Sequence, residues 1–494
     1  MEWTEEDPGL PIKLGPCSNG EYEPQPLTPV LVETIRRARE ESERNARRVG
    51  MSRREFLLSA CAAATSLVAL DACTREFVRH TTGRGATPGG RYVIPTEATT
   101  EPEAAEHAIG GQEFVLDVQG HLLEYDLNPA TRDQPFWGQM FPQVKCGDPD
   151  PRACFSMTHF MEEFFLKSDT TMVVLSALPI APAGSPLSPA VMDETRRVAE
   201  RLCHDERILL HAQVLPNVGP LQANLEAMED RVRRYPIKAW KVFTHYPDLY
   251  TGGGGWWLDD HERGVPQVGE AFIEKAVELG VPRIATHKGL SSGSRFASPQ
   301  DIGPAARKHP GANFLVYHSG FEADTLEVPY SWASRGVGIN RLIASMRDNG
   351  IGPDRNVFAE LGSTWWNVMR SPTQAAHVLG KLLRFVGEDN VIWGTDSIFY
   401  GSPQDQIQAL RAFHITEEFQ ERYRYPALTP EIKRKILGAN AAKLYGVDPI
   451  TMPCRFTRRE LERVRRILPS GNRTFGPTNA AEFRAHELHH QRWP

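Results

Sequence analysis

The chain has 494 residues, of which 40% are hydrophobic and 24% charged, and its formal net charge is −6. This is the composition of a globular protein with enough chain for a large core. The slightly acidic balance, without a basic stripe, argues against a nucleic-acid partner. The seven cysteines form no Cys-x-x-Cys pair and their number is odd, so we predict neither a disulfide scaffold nor a zinc knuckle.

Residues 51–73 resemble an export signal. The run Ser52–Leu57 (Ser-Arg-Arg-Glu-Phe-Leu) is similar to a twin-arginine motif, and the apolar stretch Leu57–Leu70 has the length of a signal h-region. That stretch is too short to span a membrane. The alternative is a buried amphipathic helix. Because some fifty residues come first, we predict residues 1–50 to be a disordered extension, or Met51 to be the true start.

The end of this segment bears on localisation. Leu70–Cys73 is loosely similar to a lipoprotein cleavage box, although Asp71 is unusual there, so a lipid anchor at Cys73 is the alternative to simple export. Residues 74–111, rich in Thr, Gly, Pro and Glu, are predicted to be a linker. The sequence thus predicts a periplasmic or extracytoplasmic protein that contacts membranes only through export or this anchor.

From residue 112 onwards, short apolar runs alternate with helical stretches, which favours parallel strands joined by crossover helices. Eight strands are predicted, at Phe114–Val118, Met172–Leu178, Ile208–Val214, Ile237–Phe243, Val281–Thr286, Asn313–Tyr317, Val357–Leu361 and Val391–Gly394. Helices are predicted at Asp193–Cys203, Leu221–Arg234, Val268–Leu279 and Thr373–Val386. The pattern predicts an α/β fold, a (β/α)8 TIM barrel over residues 112–446. A doubly wound sheet is the alternative, but no Gly-rich fingerprint follows the first strand.

Two long insertions interrupt the alternation. Leu122–Lys167 follows strand one and Tyr246–Gly264 follows strand four, so both are predicted on the face where barrel active sites form. Residues 447–494 form a C-terminal tail with a predicted helix at Arg458–Ile467.

Four polar residues fall at the C-terminal ends of predicted strands. His121 follows strand one, His287 strand five, His318 strand six and Asp396 strand eight. A single histidine at a strand end is usually structural, but four such residues in register predict one site at the barrel mouth. Imidazole and carboxylate ligands suit Zn, Mn or Fe(II) and leave a position for water or substrate.

The chain resembles the amidohydrolase superfamily, in the amidohydrolase-related branch that includes aminocarboxymuconate semialdehyde decarboxylase. The resemblance covers roughly residues 112–446. It rests on His318–Gly320 (His-Ser-Gly), Trp393–Asp396 (Trp-Gly-Thr-Asp) and the closing segment Ile436–Gly446.

The resemblance implies a mononuclear metal site with a His-x-His pair on strand one. Carried over, the ligands are His121, His287 and Asp396, the ion is Zn with Mn or Fe as alternatives, and His318 acts in catalysis beside Asp396. Gln119 stands where the first histidine of the pair is expected.

Gln119 leaves three interpretations open: a weak fourth ligand, a hydrogen-bond partner of a ligand, or a degenerate site without metal. His245, just past strand four, is interpreted as a substrate contact, and Lys241 does not predict a second metal because the strand-one pair is incomplete. Asp117 either orients a ligand imidazole or bonds within the barrel. Glu360 is interpreted as a salt-bridge partner in the barrel, with a general acid or base as the alternative.

The site predicts a metal-dependent hydrolase in which activated water attacks a small carbonyl or carboxylic-acid-derived substrate. The alternative is a non-oxidative decarboxylase of an aromatic or enoic acid, since several decarboxylases of this branch carry Glu-x-His on strand one. A second alternative is a non-catalytic exported binding protein with a degenerate site. The expected partner is a small-molecule substrate, and the resemblance allows a homodimer.

Overall fold

The structure is a computed structural model. It describes residues 8–83, 85–125, 127, 146, 150, 152–180, 184–203, 205–246, 254–449 and 473–490. The helix predicted at Arg458–Ile467, much of the insertion after strand one and residues 247–253 of the second insertion lie outside this range.

Eight parallel strands form the central sheet, and each is the hydrogen-bonded neighbour of the next along the chain. They are β2 (Leu116–Gly120), β3 (Met172–Ser176), β4 (Ile208–Gln213), β5 (Ile237–Val242), β6 (Arg283–His287), β7 (Asn313–Tyr317), β8 (Val357–Glu360) and β9 (Val391–Ile392). The sheet closes on itself, because Val118 N donates to Trp393 O at 2.9 Å and Asp396 N donates to Gln119 O at 2.9 Å. The predicted TIM barrel and all eight of its strands are confirmed.

The strands form because their sequences are apolar on both faces, as a sheet covered by helices requires. All five residues of β3 are buried, and so are all six of β4. Two further strands pair outside the barrel: β1 (Gly90–Tyr92) runs antiparallel to β10 (Phe413–Ile415).

Seventeen helices lie in the described part of the chain. They are α1 (Pro29–Arg48), α2 (Arg53–Leu57), α3 (Ala60–Thr82), α4 (Pro102–Ile109), α5 (Met157–Met161), α6 (Pro189–Cys203), α7 (Leu221–Arg234), α8 (Gly269–Glu278), α9 (Ile302–Lys308), α10 (Asn340–Asp348), α11 (Thr364–Val368), α12 (Pro372–Phe385), α13 (Gln404–Ala412), α14 (Glu417–Tyr423), α15 (Pro430–Arg434), α16 (Asn440–Tyr445) and α17 (Ala480–His490). None of the helices in these described ranges is long and apolar enough to cross a membrane.

The region before the barrel is folded onto it. Helix α1 occupies much of the segment predicted to be disordered and packs along α3. Residues 74–111, predicted to be a linker, contain the end of α3, β1 and α4. Because β1 pairs with β10 beyond the last barrel strand, this region is an integral part of the fold.

The predicted signal segment forms α2 and most of α3. Ser52 caps α2: its hydroxyl accepts from Glu55 N at 3.2 Å, and the Glu55 carboxylate accepts from Ser52 N at 2.9 Å. Phe56 is 1% exposed, and the apolar run continues as the buried side of α3. Asp71 of α3 accepts from Arg91 in β1 at 2.9 Å, which ties the helix to the two-stranded sheet outside the barrel.

The cysteines differ from the expectation in one respect. Cys146 and Cys154 form a disulfide, which their spacing did not predict. Cys17, Cys61 and Cys73 are buried free thiols.

Candidate metal centre at the barrel mouth

The strand ends bring all four predicted site residues into a buried position. His121, His287, His318 and Asp396 are each at most 3% exposed. His318 and Asp396 have backbone φ angles of 63° and 60°, and Ser363 nearby has 55°. Non-glycine residues seldom adopt this left-handed conformation, and such strain concentrates at functional sites.

Each of the three imidazoles uses one ring nitrogen to bond a backbone carbonyl. The pairs are His121 Nδ1 with Ser176 O at 2.7 Å, His287 Nε2 with Gly289 O at 3.0 Å and His318 Nδ1 with Gly362 O at 2.8 Å. Because a carbonyl oxygen only accepts, each of these nitrogens carries the proton. In the neutral form of each ring the second nitrogen is then a lone pair, as a metal-ligating histidine requires.

The three free nitrogens face carboxylate oxygens. His121 Nε2 lies 3.0 Å from Asp396 Oδ1, His287 Nδ1 lies 3.4 Å from Glu21 Oε1, and His318 Nε2 lies 3.8 Å from Glu21 Oε2. His287 Nδ1 and His318 Nε2 have no hydrogen-bond partner among the described residues. A lone pair and an anionic oxygen repel unless a proton or a cation lies between them, so the donor set fits a divalent ion.

Glu21 reaches this centre from a segment far from the barrel in sequence. Asn19 Nδ2 donates to Glu21 Oε2 at 2.5 Å and to Asp396 Oδ2 at 2.6 Å, and Ser292 Oγ donates to the Glu21 carbonyl at 2.6 Å. The sequence reasoning missed both Asn19 and Glu21. No periodicity or motif marks them, because their role depends on how the chain folds back over the barrel mouth.

Gln119 points its amide at two of the predicted ligands. Its Nε2 donates to Asp396 Oδ1 at 2.9 Å and lies 3.5 Å from His121 Nε2. Its Oε1 has no hydrogen-bond partner in the described part of the chain and faces Gly362, where a Cβ would lie only 2.2 Å away. In this orientation Gln119 is a hydrogen-bond donor to a ligand and offers the site no ligand atom.

Asp396 is held in its ionised form. Burial alone would raise its pKa, but in the metal-free site a protonated His121 that donates to it, the charge of a protonated His318 and the Ser363 hydroxyl outweigh burial. Ser363 Oγ donates to Asp396 Oδ2 at 2.6 Å. The pKa of Asp396 therefore lies below its usual range, which suits a metal ligand or a general base.

Asp117 and Glu360 bond to backbone close to the site. Asp117 Oδ1 accepts from Thr395 N at 3.1 Å and contacts no ligand imidazole, so of its two predicted roles the structure shows the bond within the barrel. Glu360 accepts from His318 N at 3.0 Å and Gly362 N at 2.5 Å, instead of forming the predicted salt bridge. Burial raises the pKa of Asp117 to about 7 and that of Glu360 to about 8.

Lys241 places a buried amine beside the same centre. It is 1% exposed, its Nζ has no hydrogen-bond partner among the described residues, and it lies 3.6 Å from the Tyr317 ring centroid. Burial lowers its pKa to about 7, while the carboxylates of Glu21, Asp396 and Glu360 act in the opposite direction. An amine in this position is suited to pair with an anionic group that enters the mouth.

His245 and the stacked pair of Trp366 and Tyr400 are further side chains near the candidate metal centre. The His245 ring centroid lies 4.4 Å from that of His287, and its Nδ1 is unpartnered in the described ranges. Burial lowers the pKa of His245 to about 3, so this ring is neutral. Trp366 stacks on Tyr400 at 4.7 Å, and both are fully buried.

Comparison with known proteins places the fold in a family. The sequence profile of the family described as Amidohydrolase matches residues 187–447, more than half of the chain. A search of curated proteins found no match.

Several solved structures are similar to this chain. An uncharacterised TIM-barrel protein from Bordetella bronchiseptica is 13% identical, with 67% of this chain and 98% of that chain covered and a TM-score of 0.40. 2,6-Dihydroxybenzoate decarboxylase from Rhizobium is 15% identical, with 68% and 99% covered and a TM-score of 0.37. 4-Oxalomesaconate hydratase from Rhodopseudomonas palustris is 18% identical, with 67% and 96% covered and a TM-score of 0.39.

Proposed function

Because the chain belongs to the amidohydrolase family, we propose that it is a metal-dependent enzyme acting on a small carboxylic acid, and that it releases CO2 without oxidation. His121, His287 and Asp396 would hold one divalent ion, Zn first and Mn or Fe(II) as alternatives. Such an ion supplies Lewis acidity and binds substrate oxygen or water.

The observation that carries the proposal is the unpartnered amine of Lys241. Burying a charged amine without a bonded partner is costly, so an anionic ligand that enters the mouth would gain by pairing with Lys241. A carboxylate is the anion that an acid substrate brings. Together with the neutral His245 and the aromatic pair of Trp366 and Tyr400, this favours an aromatic or enoic acid.

The residues at the mouth have separate tasks. Lys241 and His245 bind and orient the acid, and His318 offers a neutral Nε2 lone pair that accepts a hydrogen bond from it. Asp396, ionised at rest, takes a proton from the substrate or from water. In decarboxylation the carbon–carbon bond electrons stay on the substrate carbon as CO2 leaves, and that carbon receives, through Asp396, one proton taken up from solvent.

Hydrolysis is the second candidate, and the low pKa of Asp396 favours it. A carboxylate that stays ionised at neutral pH is a competent base for a bound water. In that reaction the water oxygen is added to a carbonyl carbon, and the proton held by Asp396 passes to the leaving group.

One assay separates these functions. The 494-residue chain is incubated with a panel of aromatic acids, enoic acids and lactones in ¹⁸O-labelled water, and CO2 and the products are analysed by mass spectrometry. We expect CO2 release from an acid, with no ¹⁸O in the other product. Water oxygen in the product with no CO2 release would select hydrolysis, and no turnover of any compound would select the binding-protein alternative.

The role of Lys241 has its own test. Lys241→Met is expected to raise KM for the acid at least tenfold, since a buried ion pair with substrate is lost. Lys238→Met, on the same strand but half-buried, is the matched control and should leave KM within about twofold of wild type. An unchanged KM in Lys241→Met would contradict binding of the carboxylate by this amine.

A further inference from the structure

We propose that Glu21 is a protein ligand of the metal ion, delivered from the N-terminal arm (residues 8–28) to complete the centre that Gln119 leaves incomplete. The inference rests on the metal dependence proposed above. It adds a ligand that no strand of the barrel supplies.

The spacing of the atoms is the first support. Of all described His, Cys, Asp and Glu side chains, one group at the barrel mouth has its ligand atoms within 4.8 Å of one another: Glu21, His287 and His318. Two donors bound about 2.0–2.1 Å from one ion at a tetrahedral angle lie roughly 3.4 Å apart. The separation from Glu21 to the proposed ligand His287 (3.4 Å) matches this value and is longer than a normal hydrogen bond. The other Glu21 oxygen lies 3.8 Å from His318, whose Nε2 faces the same position but is reserved for the substrate in the function proposed above.

A second group of ligand-type residues already has a counter-ion. His159, Glu162 and Glu163 also lie within 4.8 Å of one another, but they are close neighbours along one helical segment. Lys167 pairs with both glutamates, at 2.6 and 2.7 Å, and so neutralises their charge. The mouth group has no such cation bonded to it within the described ranges.

Charge at the mouth is the second support. Asn19 Nδ2 bonds both the Glu21 and the Asp396 side chains, so two buried carboxyl groups meet at one neutral donor. Such a pair repels unless one carboxylate is protonated or a cation lies between them. A divalent ion held by two carboxylates and neutral imidazoles balances the charge of the centre.

The orientation of Gln119 is the third support. Gln119 stands on strand one where the family resemblance places a metal ligand. Its side chain turns an N–H group towards Asp396 and therefore offers no lone pair on that side. Glu21 supplies what this position does not, an anionic oxygen on the side of His287 and His318.

The arm is built to hold Glu21 in place. Lys13 donates to Ser402 O at 2.6 Å and pairs with buried Asp405 at 3.2 Å. Arg370 donates to Gly15 O at 3.0 Å. A residue fixed on both sides by the barrel loses little further freedom when it binds an ion, which favours ligation.

Just beyond Glu21 the arm is fixed again. Tyr22 OH hydrogen-bonds the Tyr400 hydroxyl at 2.9 Å and accepts from Asn367 at 3.0 Å. Glu21 is therefore held between two anchored stretches, and its side chain, 27% exposed, remains reachable by an ion from solvent.

The test measures metal affinity and does not depend on activity. The untagged 494-residue chain is stripped with a chelator and titrated with Zn²⁺, and separately with Mn²⁺, against a chromophoric chelator. Glu21→Gln is expected to weaken binding by more than about tenfold, the scale of losing one group of a metal site. Glu23→Gln, an exposed neighbour on the same arm, is the control and should bind like wild type.

Thermal unfolding of the metal-free proteins shows whether Glu21→Gln folds. If it folds poorly, two further variants test the same proposal. Glu21→His keeps a donor atom and should retain binding. Gln119→His in the Glu21→Gln background should recover at least part of the lost affinity, because it restores a ligand on strand one. Wild-type affinity in a folded Glu21→Gln variant would overturn the role of Glu21 alone. A wild-type chain that binds no ion would overturn the proposed function as well.

Discussion

At the scale of single residues, the site depends on which ring nitrogen each histidine leaves free. Backbone carbonyls of Ser176, Gly289 and Gly362 fix the tautomers, so the lone pairs already point at the mouth before an ion binds. These carbonyls belong to the barrel and its adjoining loops. The rigid scaffold therefore prepares the ligands without the charged partners that often orient metal-binding histidines.

Gln119→His is the most informative substitution on strand one. The amide of Gln119 lies 2.9 Å from Asp396, so a histidine there would reach the same centre and replace a donor by a lone pair. We expect at least about tenfold tighter metal binding in the chelator competition assay. Unchanged affinity would show that position 119 does not face the ion.

The sequence predicted part of this site, and the reason is geometric. Strand ends of a closed parallel barrel meet at one face, so His121, His287, His318 and Asp396 could be placed together from the alternation of strands and helices. Glu21 could not be, because its position depends on contacts between the arm and loops hundreds of residues later. The direction in which Gln119 points was also beyond prediction, since both ends of an amide are polar.

At the scale of elements, α3 is the feature that the sequence describes ambiguously. An apolar run of this length is expected both in a signal h-region and in a buried helix, and composition alone does not separate the two. The contacts of α3 with α1, and of Asp71 with Arg91, show that this helix is packed inside the fold. The barrel strands were easier to predict, because eight strand–helix alternations in a row are typical of very few folds.

Leu67→Ala tests whether α3 is structural. Leu67 is fully buried, so its truncation should lower the free energy of unfolding by about 2–5 kcal/mol, measured by urea denaturation. Leu58→Ala, 38% exposed between α2 and α3, is the control and should change it by less than about 1 kcal/mol. Equal, small effects of both substitutions would mean that α3 does not pack as described.

Helix α12 carries a pH-dependent contact with α14. His377 lies among Phe419, Tyr423 and Tyr425, and burial lowers its pKa to about 4. In the unfolded chain a histidine titrates near about 6.5. The contribution of neutral His377 to the free energy of unfolding is therefore full above pH 6.5. It is lost as the pH falls towards 4, because in this range the unfolded state takes up a proton and the folded state does not.

His377→Asn should therefore lose less stability than wild type between pH 7 and pH 4. The difference is expected to reach up to about 3 kcal/mol, at roughly 1.4 kcal/mol for each unit of pKa shift. Urea denaturation at a series of pH values measures it, with exposed His80→Asn as the control. Parallel pH profiles for wild type and His377→Asn would contradict this role of His377.

At the scale of the whole molecule, the N-terminal region and the barrel are one unit. Twin-arginine export stays a prediction, and a fusion of residues 1–110 to a reporter tests it: replacing Arg53 and Arg54 by Lys should abolish transport. The structure adds a constraint, because removal of residues 1–73 would take away Glu21 and much of α3.

We therefore expect the mature protein to retain its N-terminal arm. Intact-mass analysis of the protein isolated from its native cells, in whichever compartment it lies, should give a chain that includes residue 21. A mature chain that begins near Cys73 would contradict both the structural role of α3 and the ligand role of Glu21.

The central claim is that the barrel mouth binds a divalent ion, and elemental analysis of the untagged 494-residue chain tests it most directly. We expect about one ion per chain, lost on dialysis against a chelator and restored by Zn, Mn or Fe(II). Asp396→Asn should lower this content, because it removes a buried ligand charge. A content below about 0.2 ion per chain that none of the three metals restores would contradict metal binding at the mouth.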